Sequence, residues 1–228
     1  TSIGLVSDDS GNITSFTAVN LGTEPEIATI TVTPHFTYGL ITCDGPSETF
    51  TITVNPTGQV NDPSDQVVCN GATTSPVIFT TNNTVGTTTY SWTNDNTSIG
   101  IGASGNGNIP FFTAINSGSA PAVANITVTP HFTNGFVTCD GPPETFTITV
   151  NPSGQVIDPD DQVVCNGDPT VSVIFTTNNI TGITTYSWTN NNTSIGLVAS
   201  GTGNISSFNA VNNGSVPIMA SITVTPHF

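Results

Sequence analysis

Residues 122–128 read AVANITV, and residues 144–150 read ETFTITV. In the second stretch Phe146, Ile148 and Val150 alternate with Thr145, Thr147 and Thr149. In the first, Ala124, Ile126 and Val128 alternate with Asn125 and Thr127. Strict period-2 alternation puts the apolar set on one face of a strand and the polar set on the other. Working outward, 66–69, 76–81 (Val77 and Phe79 on one face), 88–93 (Tyr90 and Trp92 on one face), 98–101 and 109–115 read as further short strands. Turn residues separate them, and no stretch has the period of an amphipathic helix. The expectation is an all-β chain with Trp92 and Trp188 packed in its core.

The pattern recurs. The tripeptide SIG stands at Ser2, Ser98 and Ser194; TVTPHF begins at Thr31, Thr127 and Thr223; the cysteines fall as Cys43/Cys139 and Cys69/Cys165. Every offset is 96 residues, without insertion or deletion. That length suits one β-sandwich domain, and seven strands fit an immunoglobulin-like topology. The acidic, proline-containing stretches at 58–65 and 154–161 follow TITVNP and TFTITVNP and read as linkers. They divide the chain into the end of one domain (1–57), a complete domain (58–153) and the beginning of a third (154–228). The expectation is a window on a longer tandem array.

Composition narrows the function. The chain has no Lys or Arg and 15 acidic residues, for a net charge of -15. Nothing can neutralise phosphates, which argues against nucleic-acid binding and against anionic membrane surfaces. A Schiff-base lysine, an arginine clamp and a Lys–Asn isopeptide cross-link are excluded. No apolar run approaches the roughly 20 residues of a membrane-spanning helix.

Four cysteines in a chain of secreted character read as disulfides. The expected bond joins Cys69 and Cys139 within one repeat, with Cys43 and Cys165 paired outside the window. Such a bridge contributes about 4 kcal/mol in the chain-entropy picture. A Cys43–Cys69 bond would instead cross the linker. Nine acids gather in the linkers and in the turn before the last strand. Asp62, Asp65, Asp140 and Glu144 read either as a solvated acidic linker or as oxygen ligands for calcium, the one cofactor the sequence suggests. The single histidine of each repeat (His35, His131 and His227) reads as a strand-end residue making a local hydrogen bond; no catalytic constellation is visible around it. Glycosylation sequons occur at Asn12, Asn82, Asn96, Asn125, Asn179, Asn191, Asn192, Asn204 and Asn213. The Thr-x-Thr row of 145–149 reads as the solvent side of a strand.

Several of these segments carry a family likeness: Cys69, Tyr90-Ser91-Trp92, Val128-Thr129-Pro130, Cys139-Asp140-Gly141 and Val150-Asn151-Pro152. Over a whole repeat the pattern resembles the PKD-like repeats of bacterial surface proteins, in the version found in very large secreted proteins of Bacteroidota. The resemblance implies a spacer or adhesive array at the cell surface with no active site to transfer. The functional expectation is therefore a structural, non-enzymatic array. It forms an extracellular filament or the stalk of a giant adhesin, with further copies of the repeat and surface glycans as partners. The alternative is a carbohydrate-binding or spacer module of a large secreted hydrolase.

Overall fold

The computed structural model describes residues 3–228; Thr1 and Ser2, which opens the first SIG, lie outside the described residues. Most of the alternating segments become strands. These are β1 (Glu26–Val32), β2 (His35–Tyr38), β3 (Ile41–Asp44), β4 (Glu48–Val54), β5 (Gln66–Cys69), β6 (Thr87–Asn94) and β7 (Ser104–Asn106). They continue with β8 (Ala122–Asn134), β9 (Val137–Asp140), β10 (Glu144–Asn151), β11 (Thr185–Asn190), β12 (Ser200–Thr202) and β13 (Ile222–His227). The only helical elements among the described residues are two 3-10 turns. The chain is nearly all β, in several sheets.

Residues 66–151 form a six-stranded sheet in the order β5-β10-β8-β6-β7, with β9 folded back on the far end of β8. β8 and β10 run antiparallel, from Val150↔Ala122 to Glu144↔Val128. That register sends Ala124, Ile126 and Val128 to the same face as Phe146, Ile148 and Val150, all at most 2% exposed. Opposite them lie Val77, Phe79, Ile99, Ile109 and Ala114, with Trp92 closing the core. The Phe79 ring stands 5.3 Å from Tyr90 and 6.3 Å from Phe146. Burial raises the pKa of the Tyr90 hydroxyl, while a hydrogen bond with Thr81 works the other way. Trp92 faces Gly105 across β6 and β7, and its indole fills the space a Cβ at Gly105 would need. Trp188 and Gly201 repeat the arrangement.

The facing layer differs from expectation. Segments 76–81 and 109–115 are extended but touch through a single isolated bridge, Val77↔Ile109, and a second, Thr73↔Thr113, joins 109–115 to the turn before 76–81. Pro76 and Pro110 have no amide to offer a ladder. Side chains stand in for the missing backbone bonds: Asn108 Oδ1 accepts from the Phe79 amide, and Thr74 Oγ1 from the Phe112 amide. Segment 98–101 is not a strand either. Asn96 Oδ1 accepts from the Ser98 amide, which caps the 3-10 turn Thr97–Ile99, and Gly100 leaves it at a φ of 103°. The side-chain oxygen of Asn supplies a local partner that competes with strand pairing.

The same contacts recur 96 residues on. Trp92 pairs with Val128, and Trp188 with Val224. Phe146 pairs with Ile126, and Phe50 with Ile30. Yet Phe146 is 2% exposed and Phe50 46%: Ile3 is buried and Asn20 bonds to the Val54 carbonyl, but no counterpart of Phe79 or Trp92 covers β1 and β4 among the described residues. The accessible surface of 14222 Å² exceeds the roughly 9,700 Å² of a compact monomer of this mass. Separate sheets in series, some with open faces, account for the excess.

The contrast is testable. Phe146→Ala should lower unfolding free energy by about 3–5 kcal/mol, measured by chemical denaturation. Phe50→Ala, at the same repeat position, should cost less than half as much.

Candidate functional site at the joint between repeats

The best-built feature outside the cores is where one repeat passes into the next. Pro56 and Pro152 are fully buried there. Each is followed within two residues by a glycine pressed onto the next sheet. A Cβ at Gly58 would lie 2.6 Å from the Pro130 carbonyl oxygen, and one at Gly141 would overlap the Gly58 carbonyl. A Cβ at Gly154 would likewise lie 2.9 Å from the Pro226 carbonyl and 3.0 Å from the His227 amide. The Gly58 amide donates to the Cys139 carbonyl at 3.2 Å. Only the absence of a side chain lets the linker lie this close to the base of the β8–β9 hairpin.

Uncharged amides complete the joint. Asn83 Oδ1 accepts from the Gln59 amide at 2.9 Å, while its Nδ2 donates to the carbonyls of Thr23 and Thr57 at 3.3 Å. The Thr84 hydroxyl donates to Glu24 at 2.6 Å, and Gln59 Nε2 reaches the Gly22 carbonyl. At the next joint Asn179 accepts from the Gln155 amide at 2.8 Å and donates to the Ser153 carbonyl at 3.1 Å. Gln155 Nε2 reaches Gly118, and the Ile180 amide donates to Ser119. At the first joint, the β8–β9 hairpin tip also reaches back: Asn134 and Asn55 exchange two bonds, at 2.9 and 3.0 Å. Each loop in front thus docks on the repeat behind it through the same partners. From sequence Asn83 and Asn179 are two among many asparagines; Asn179 stood out only as a sequon.

The four cysteines are free thiols. Cys69 and Cys139 are not brought together. Cys69 lies beside Asn151 at the outgoing end of the sheet, and Cys139 beside Phe132 at the incoming end. The ten steps of β8 between those levels span about 33 Å, against the Cα separation of roughly 4.4–6.8 Å a disulfide requires. The expectation put both cysteines at one pole. β5 instead runs parallel to β10, which carries Cys69 to the opposite pole.

The four acids considered for calcium also stay apart. Among the described residues no group of three or more His, Cys, Asp or Glu side chains converges. Asp65 accepts from the Thr147 amide at 2.6 Å, and Asp140 faces His131. Asp62 lines an open groove between the linker and residues 75–80, and Glu144 sits where β10 starts, opposite Val128.

His131 has more partners than the sequence suggested. Its Nδ1 lies in hydrogen-bond contact with Asp140 Oδ1 at 2.6 Å, and its Nε2 with the Ser91 hydroxyl at 2.8 Å. His35 with Asp44, and Ser187 with His227, repeat parts of this row. The order Ser–His–Asp resembles that of a nucleophilic triad, but Ser91 pairs on both sides, with Asn106 and Thr129. The row fastens three strands. Only the strand register could have revealed Ser91, because it lies 40 residues from His131.

The sequon asparagines divide. Asn96 and Asn192 cap 3-10 turns, Asn179 holds the second joint, and Asn204 Oδ1 accepts from the Phe175 amide. Asn125 is exposed but donates to Asp95 Oδ2 at 2.7 Å. Asn191 accepts from the Ser221 amide at 2.8 Å. Asn12, Asn82 and Asn213 are exposed. In the 145–149 row Thr145 is exposed and Thr147 and Thr149 half-buried, with Thr145 against Thr127 at 3.3 Å.

A scan against models of known protein families finds no match to this chain, and a search of curated proteins finds none either.

Two outcomes follow from these contacts. Asn83→Ala removes the central amide of the first joint, so the flanking sheets should tumble more independently in NMR relaxation. A cost of about 1–3 kcal/mol is expected for the partners left unpaired. The second outcome concerns Asp95, whose pKa is lowered chiefly by the Asn125 side chain and also by its amide. A depressed carboxylate stabilises the fold above its ordinary titration range, and the contribution is lost as pH falls through the lowered value. Position 191, one repeat on, holds Asn in the same role. In an acid titration by NMR the Asn125 amide should therefore shift with Asp95, and the Ser221 amide should not.

Proposed function

We propose that this chain is a load-bearing stretch of an extracellular filament, or of the stalk of a giant cell-surface adhesin. On this reading its units are immunoglobulin-like, PKD-like repeats bounded at 1–57, 58–153 and 154–228, and its partners are further copies of the same repeat.

The observation that carries the reading is the pairing of the first and last strands of the complete repeat. β5 and β10 are parallel neighbours, from Ile148↔Gln66 to Asn151↔Cys69. The chain enters at Gly58, beside the incoming end, and leaves through Asn151 at the other. End-to-end tension therefore drags the two strands past each other along their length. All the bonds between them are loaded together, rather than opened one by one as in a pulled hairpin. Joints built from the same contacts at each repeat support the same reading, since they pass force in a fixed direction. The finer reading of the fold rests on the sheet order β5-β10-β8-β6-β7, with Val77 facing Ile109 in the second layer.

Stretching single molecules from their ends under reducing conditions tests the proposal. One dominant rupture is expected, releasing 66–151, or roughly 280–310 Å of extended chain. Rupture at forces no higher than those that open the β2–β3 hairpin would overturn it.

A further inference from the structure

The cysteines belong to the joints. We infer that a disulfide crosses each joint of the array, linking the β5 cysteine of one repeat to the β9 cysteine of the repeat that follows. The inference rests on the array reading.

Two sets of contacts meet when carried over by the 96-residue offset. At the joint after the complete repeat, Cys69 pairs with Asn151, and its neighbour Asn70 donates to Ser153 Oγ at 3.0 Å. Gly154, the next residue, lies against Pro226 and His227. At the joint before it, Gly58 lies against Pro130 and His131 in the same way, and there its amide holds the Cys139 carbonyl. Cys139 pairs with Phe132, whose equivalent is Phe228. On the array reading the residue that pairs with the Phe228 position is then a cysteine, placed against Gly154 and one hydrogen-bonded step from Asn70. Each joint in this chain holds one member of the pair: Cys139 at the first, Cys69 at the second. All four thiols are accordingly free, and the 33 Å between the ends of one repeat leaves no bond within it.

The chemistry needs an oxidant, and a small-molecule disulfide such as oxidised glutathione supplies it. One thiolate attacks that disulfide and releases a glutathione thiol. The second cysteine then attacks the mixed disulfide and releases the other. Two protein thiols become one disulfide, and one oxidised glutathione becomes two reduced ones.

The consequence is mechanical. From Cys43 to Cys69, and from Cys139 to Cys165, the chain runs 26 residues through β10-type strand, linker and β5-type strand. With a disulfide at each joint these segments become links of two interleaved covalent lines, one crossing a given joint by backbone and the other by the disulfide, and the loops between them bear no tension.

The test uses the whole chain extended after Phe228 by a copy of residues 133–153, which supplies the missing β9 and β10 and their cysteine. In a glutathione redox buffer the product should lose two hydrogens, and peptide mapping should join Cys69 to the added cysteine. Cys43, Cys139 and Cys165 should remain open to alkylation. Cys69→Ser, or serine at the added cysteine, should abolish the bond without changing the circular dichroism. A freely alkylated Cys69 in a folded product, or a Cys69–Cys139 bond, would overturn the inference. Should the extension fail to fold, the same mapping on filaments from the source decides: unlinked β5 and β9 cysteines sink the idea. Pulling under reducing conditions reports on the array reading separately, because no disulfide is then present.

Discussion

The antiparallel contact between β8 and β10 supports the rest of the structure. Their register puts six apolar side chains on one face and the threonines on the other. Moving either strand by one residue would turn its apolar set to solvent, so the hydrophobic effect holds the register. β5 adds to the free side of β10 and β6 to the free side of β8. The hairpin that carries Cys139 to the joint is the far end of β8 itself. Phe50 shows the limit of strand pairing: it sits in the same register as Phe146 but stays half exposed without counterparts of Phe79 and Trp92 packed over it.

That facing layer is held by other means. Prolines break up its backbone ladder, and Thr74, Asn108 and Asn96 satisfy the amides left over. A buried amide without a partner costs more than a typical hydrogen bond gains. This gives a physical reason for so much Asn and Thr in a chain with few charges. The same chemistry builds the joints, where Asn83 and Asn179 bind backbone carbonyls that salt does not screen. Lacking cations, the chain forms no Lys or Arg ion pairs; its carboxylates Asp44 and Asp140 instead hydrogen-bond to His35 and His131.

The proposed function joins these parts. Parallel terminal strands resist sliding, fixed joints carry the load onward, and negative charge keeps neighbouring surfaces apart.

By itself the sequence determined the all-β character, the 96-residue period and the identity of the core. Alternation is a local property, and a period of two leaves only one way to bury Ile126, Val128, Phe146 and Ile148. Segments 76–81 and 109–115 have the same apolar content, yet only the fold decided that side chains would replace their ladders. Their prolines and asparagines act through partners about 30 to 40 residues away. The placement of Cys69 was likewise a tertiary decision. β5 is four residues long, and nothing within it says whether it lies parallel or antiparallel to its neighbour. The parallel choice moved Cys69 to the opposite pole from Cys139, and with it the meaning of every cysteine in the chain. The row of Ser91, His131 and Asp140 arose the same way, because it exists only once β6, β8 and β9 are in register.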